Sequence, residues 1–198
     1  MTTTDLSLHD IAICQPQKQH AGTIASLIMT AMNHECCRNL AGNEHTLEDF
    51  HRLMTELVAI ETSQYSYRNC LSAIVKNEII GVCVGYDGAK LHSLRHAFID
   101  GARHAFSIDY SDMADETGAG EFYIDSLAVK ETCRGRGIAR MLLKQTIEKA
   151  RLVGAPRVGL LVDKANPKAE RLYKALGFEY AGDAVWGGHA MKHLQFIL

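Results

Sequence analysis

A strand-like run that breaks into an arginine–glycine turn and continues as a helix constrains this chain more than any other feature. Residues 121–129 (EFYIDSLAV) read as a strand, residues 134–140 (RGRGIAR) as a tight turn, and residues 137–153 as a helix stopped by Gly154 and Pro156. The first backbone N–H groups of a helix have no internal partner, and the helix dipole favours an anion beside them. Glycines remove the side chains that would hold a phosphate away, and Arg134 and Arg136 put paired donors next to the same turn. The turn suits a pyrophosphate. A dinucleotide fingerprint fails, because counting from Gly135 its third small residue falls on Arg140, and no GxxxxGK[ST] loop is present.

The rest of the chain predicts a mixed order of elements. A short strand is expected at 11–14, helices at 20–32 and 46–61, and a hairpin of 70–75 and 79–86 turning on Asn77. Thr46 and Asp49 form a capping pair ahead of the stripe Leu47, Phe50, Leu53, Met54, Leu57 and Val58. A helix at 89–108 and a polar loop at 109–120 precede the strand described above; a strand at 158–162, a helix at 167–176 and strands at 178–186 and 189–197 follow it. The fold class expected is α/β (α+β): one mixed, mostly antiparallel central sheet flanked by helices, in a single domain spanning 1–198 with an insertion at 89–120.

Composition limits the partners. The chain has 198 residues and a net charge of −2, which gives no electrostatic reason to expect nucleic acid or an anionic membrane as partner. No run approaches the ~18 apolar residues of a membrane span, and the opening MTTTDLSLHD lacks the basic start and apolar run of a leader. Six cysteines without a CxxC pair read as reduced, mostly buried thiols, so a cytoplasmic setting is expected. A homodimer is left open.

A second block points the same way as the turn. In VGLLVDKANPKAERLYKALGFEYAGD a strand ends, Asn166 caps a helix with Pro167 at its first position, and Tyr173 lies shortly before Gly177 and Phe178. With Arg134-x-x-Gly137-x-Ala139 ahead of it, this resembles the GNAT superfamily of N-acetyltransferases, whose signature is Gln/Arg-x-x-Gly-x-Gly/Ala after a strand. The close match covers about residues 121–183.

The resemblance implies acetyl-CoA as acyl donor and co-substrate, and an amine as acceptor. Backbone amides of Arg134, Gly135, Arg136, Gly137, Ile138, Ala139 and Arg140 would hold the pyrophosphate. Leu127, Ala128 and Val129 would pair with the pantetheine arm, the Val129 amide polarising the thioester carbonyl. Asn166, Ala169 and Tyr173 would complete the cofactor side, with Tyr173 as the acid that protonates the departing thiolate. Strand alternation puts Tyr123, Asp125, Leu127 and Val129 on one face, so Asp125 is the candidate base; it equally fits a group that only binds the acceptor. Glu121 has the same parity but lies further from the turn.

The acceptor is less legible. A small-molecule amine is favoured over a protein amine, because a helical insert narrows an open groove. A non-catalytic acyl-CoA-binding module, a protein or peptide acetyltransferase and an enzyme acting on charged tRNA are the alternatives. The insert is expected to wall the acceptor site, its Asp109, Asp112, Asp115 and Glu116 favouring a cation. His92, His96, Asp100 and His104 recur at i+4, but Gly101 interrupts them and a polar helix face is the simpler reading, so no metal is expected.

Overall fold

The computed structural model describes residues 10–198; residues 1–9, most of the opening segment considered above for a leader, lie outside it. Seven strands form one sheet, β1 (Ala12–Cys14), β2 (Cys70–Val75), β3 (Glu78–Asp87), β4 (Phe122–Val129), β5 (Arg157–Asp163), β6 (Glu179–Trp186) and β7 (His189–Ile197), in the order β1-β2-β3-β4-β5-β7-β6. The β4–β5 pair is parallel and every other pair antiparallel. The mixed, mostly antiparallel sheet flanked by helices is the expected class.

Six helices cover the sheet: α1 (Ala21–Met32), α2 (His34–Ala41), α3 (Leu47–Ala59), α4 (Leu91–Phe106), α5 (Ile138–Leu152) and α6 (Pro167–Lys174). One buried cluster lies between the sheet and α1 to α4, with Ile24, Phe50, Met54, Val84 and Phe98 among its members. On the opposite face a second cluster packs Leu142, Leu143, Ile147 and Phe178 over Ile124, Val158 and Leu194. Each such side chain contributes roughly 1.5–3 kcal/mol on burial, so both faces are held by ordinary apolar packing.

Local chemistry explains most element ends. Thr46 and Asp49 make the reciprocal cap, with the Thr46 amide donating to Asp49 Oδ2 at 2.9 Å and the Asp49 amide to Thr46 Oγ1 at 3.2 Å. The β2–β3 hairpin turns on Lys76 and Asn77, at φ 48° and 66°, as a two-residue turn that matches strand twist requires. α2 was not expected from the sequence. Asn33, at φ 65°, ends α1 and caps α2 by accepting from the Cys36 amide at 2.9 Å, and Cys36, Cys37, Leu40 and Ala41 then form a buried helical face. Gly101 does not interrupt α4. It is where α4 crosses α3, and a Cβ there would stand 2.6 Å from Leu53 Cδ1. All six cysteines are free thiols, and only Cys14 is exposed.

Candidate active site

The site begins with a failure of pairing. Toward β3, strand β4 is paired at every residue except Asp125, but toward β5 it pairs only at Phe122, Tyr123 and Ile124. Beyond Ile124 the two strands part, leaving the β5-side backbone of residues 125–129 without a strand partner. The Lys130 amide donates back to the Ile80 carbonyl on β3 at 2.8 Å. Alternation therefore turns the Val129 amide and carbonyl away from β3, toward the gap. The carbonyl accepts from Arg134 Nε at 3.0 Å.

The expected shared face of β4 is corrected here. Val84 pairs with Ser126 and Gly85 with Ile124, so Asp125 is an extra residue, a bulge, and the alternation changes parity at it. Leu127 and Val129 pack with Phe122 and Ile124 on the α5 side, whereas Tyr123 packs with Tyr86 and Leu91 on the opposite side. Asp125 goes with Tyr123: its Oδ2 accepts from Gln64 Nε2 at 3.2 Å and from the Tyr86 hydroxyl at 3.5 Å, and its Oδ1 from Ser126 Oγ at 2.8 Å.

At the far end of β4, one turn of 3-10 helix (Glu131–Cys133) leads into Gly135 and Gly137, at φ 77° and 79°. Nothing lies within 4 Å of where either Cβ would be, so these glycines serve the left-handed backbone of the turn and keep its outer side open. No side chain caps α5, and its first backbone bond is the Met141 amide on the Gly137 carbonyl at 3.1 Å. The amides of Ile138, Ala139 and Arg140 are left for an external acceptor. Arg136 is partly exposed beside them, while the Arg140 guanidinium reaches the Ala175 carbonyl at 3.0 Å and ties α5 to the end of α6.

Tyr173 and Asp125, distant in sequence, share one cavity of about 190 Å³ with Leu127, Asn166, Ala169 and Glu116. Asn166 Oδ1 accepts from the Ala169 amide at 3.1 Å, which fixes the start of α6, and Tyr173 stands edge-on to Phe178 with ring centroids 5.9 Å apart. Among the described residues the Tyr173 hydroxyl has no hydrogen-bond partner, and burial, with Cys83 nearby, holds the phenol above its ordinary range. Burial also pushes Asp125 above the usual carboxylate range, against the pull of its bonds to Ser126, Gln64 and Tyr86. The α1–α2 junction walls one side of the cavity through Met32 and Asn33, and the β6–β7 hairpin another through Trp186 and His189.

Other expectations resolve differently. Glu121 does not join this cavity. It accepts from Thr117 Oγ1 at 2.8 Å and Gln195 Nε2 at 3.1 Å and pairs with His193 Nε2 at 2.7 Å; although burial opposes ionisation, the His193 contact and the other bonds hold it below its ordinary value. Of the four insert acids only Glu116 lines the cavity. Asp109 pairs with Arg103, and Asp115 with Arg95 and His92, so these two acids face partners of their own rather than the cavity. His92, His96, Asp100 and His104 are exposed on α4.

The sequence reading missed Arg95, Tyr86 and Gln64. Arg95 alone left a trace, as a charge inside the apolar stripe Leu91, Phe98, Ile99 and Ala102, a pattern that marks a buried, partnered arginine.

Residues 34–178 match the Acetyltransferase (GNAT) family. The chain belongs to that family. An acetyltransferase of Agrobacterium fabrum is 39% identical over 70 residues, which covers 35% of this chain and 50% of the relative. The GCN5-related N-acetyltransferase 4, chloroplastic, of Arabidopsis thaliana is 28% identical over 138 residues, covering 64% of this chain and 47% of the relative. The chain thus matches about half the length of these curated relatives. A solved acetyltransferase structure superposes with a TM-score of 0.73 at 26% identity, covering 94% of this chain and 98% of that one. An N-acetyltransferase from Staphylococcus aureus superposes at 0.78 with 21% identity, covering 93% and 100% of the two chains, and shows the GNAT fold alone. No described helix is long and apolar enough to cross a membrane.

Proposed function

We propose that this GNAT protein transfers an acetyl group from acetyl-CoA to a primary amine on a small molecule, by direct attack in a ternary complex. The observation that carries the reading is the single cavity at the mouth of the β4–β5 gap. It joins the cofactor-side residues Leu127, Asn166, Ala169 and Tyr173 to the acceptor-side Asp125.

On this reading the α5 turn, residues 134–140, holds the pyrophosphate through its free amides and Arg136. Residues 127–129 pair with the pantetheine arm along the open edge of β4. The Val129 amide, turned into the gap, donates to the carbonyl oxygen as charge builds there. Tyr173, kept protonated, gives its proton to the CoA sulfur as the C–S bond breaks and charge builds there. Asp125 orients the acceptor ammonium. A small acceptor is favoured because a cavity of about 190 Å³, closed by the β6–β7 hairpin and the end of the insert, leaves little room for an extended peptide.

Thiol release from acetyl-CoA, screened across small primary amines and lysine peptides, tests the reading. The expected result is stoichiometric thiol release with a small amine and an N-acetyl product by mass spectrometry. Acetyl-CoA binding by calorimetry with no thiol release for any amine would leave a binding module. Turnover of peptides alone would move the acceptor class.

A further inference from the structure

The deepest part of the acceptor side is built by the insert. The Arg95 side chain on α4 is 5% exposed and donates to the Met113 carbonyl at 2.9 Å, the Ala114 carbonyl at 3.1 Å and Asp115 Oδ1 at 3.0 Å. It also pairs with Glu116. One guanidinium thus folds the end of the loop inward and holds Glu116, 8% exposed, against the cavity that contains Asp125. Between the two carboxylates stands the Tyr86 hydroxyl, 3.3 Å from Glu116 Oε1 and 3.5 Å from Asp125 Oδ2. A hydroxyl has one proton and can satisfy only one of them at a time. Two ionised carboxylates here would face each other with a single bridging donor and one nearby cation.

A second observation fits a shared proton. Among the described residues Gln64 Oε1 is buried without a partner, while Gln64 Nε2 donates to Asp125. A protonated Asp125 would become a donor, and rotation of the Gln64 amide would present that orphaned oxygen to it.

We propose, resting on the amine-acetylating reading above, that Glu116 is a second proton-accepting carboxylate of this site: the fully ionised Glu116–Asp125 pair takes the proton that the acceptor ammonium sheds before attack, and then holds one shared proton and one negative charge. The freed amine forms the C–N bond to the acetyl carbon and the C–S bond breaks. Tyr173 gives the thiolate its proton and regains one from the nitrogen of the collapsing intermediate. The pair then returns its extra proton to solvent, so one proton is released per turnover.

Burial and the Asp125 charge push Glu116 up to about 7, against the Arg95 cation. The other groups facing the pair are Arg95 itself, the phenols of Tyr65, Tyr86 and Tyr123, and, across the cavity, Tyr173, the Cys36 thiol and the His189–Asp163 contact at 3.4 Å. Burial holds all four phenols above their ordinary range and Cys36 at about 11, which puts them outside the neutral window. His189→Gln serves as the control for the remaining pair.

Two measurements on the full chain test the proposal. The first needs no acceptor: the side-chain carboxyl carbons of Glu116 and Asp125 are followed by NMR from acid to alkaline pH. Two coupled steps are expected, the upper near neutrality; in Glu116→Gln a single, lower step should remain. Independent titration of both groups in the ordinary carboxylate range overturns the proposal. The second uses acetyl-CoA with an amine turned over in the screen. The wild-type kcat/KM should rise with pH through the upper step. Glu116→Gln should lose roughly ten- to a hundred-fold at neutral pH and move that limb to lower pH, with acetyl-CoA affinity intact. Glu116→Asp, which keeps the charge opposite Arg95, should keep the limb and so guards against a mere folding loss. An unchanged limb in Glu116→Gln also overturns the proposal. If no amine is turned over, the proposed function falls, and the carboxyl titration still decides the pair.

Discussion

The two ends of the β4 opening are built by different means. At the α5 end the groups offered to a ligand are backbone amides, and the residues that arrange them, Arg134 to Ala139, are contiguous and set by two left-handed glycines. At the Asp125 end the groups are side chains from α4, β3, β4 and two loops, and one buried arginine holds the Glu116 loop against the rest. A backbone-built site can be altered only by changing the local fold. A side-chain-built site depends on long-range contacts and can be retuned one residue at a time.

The sharpest test of this contrast lies where the two ends meet. Tyr173→Phe removes a hydroxyl that bonds no other described residue and keeps the ring against Phe178, so stability and acetyl-CoA affinity should hold. Turnover should fall by about 10²–10⁴. Wild-type turnover in a steady-state assay would make Tyr173 a packing residue.

Next in size is Arg95→Leu. It strips a buried hub: two carbonyls lose the Arg95 donor, and among the described residues Glu116 keeps only the Tyr86 hydroxyl and Asp115 only His92. Removing one partner of a buried ion pair costs roughly 3–5 kcal/mol, which urea unfolding would register. Acetyl-CoA binding to the protein that remains folded should be unchanged. A matching loss of affinity would mean that the two ends are not separate.

Gly137→Asp probes the backbone-built end. It places a charge beside the free amides at φ 79°, a strained conformation for a side-chain-bearing residue, and should weaken acetyl-CoA binding by about ten-fold or more in calorimetry. Undiminished binding would remove the turn from the site. The smallest effect is expected for Asp112→Ala. Asp112 is exposed and outside the cavity, so the Michaelis constant for a cationic amine should stay within roughly two-fold at fixed ionic strength. A larger rise would restore the view of the loop as a diffuse acidic attractor.

Much of the fold was readable before any coordinates. The α3 stripe, the Thr46–Asp49 cap, the Asn77 hairpin and the Asn166 cap all appear where their residue chemistry placed them, because each depends on partners within a few positions. α2 escaped because it is short and follows α1 after the single residue Asn33, whose side chain caps it. The shared face of β4 failed for a related reason. Alternation holds only while strands stay in register, and nothing in FYIDSLAV announces that Asp125 will be left over when β3 pairs on both sides of it.

The sequence by itself determined the arginine–glycine turn, the GNAT resemblance and the order of most elements, since these rest on local dihedral preferences, capping and apolar periodicity. Only the tertiary structure decided which carboxylates meet. Glu116 and Asp115 are neighbours with the same chemistry, yet one is buried beside Asp125 and the other faces outward to His92. Arg95 bonds both residues, so the choice lies in which carboxylate the loop turns toward Tyr86. It is a balance of desolvation against ion pairing that no short window of sequence contains.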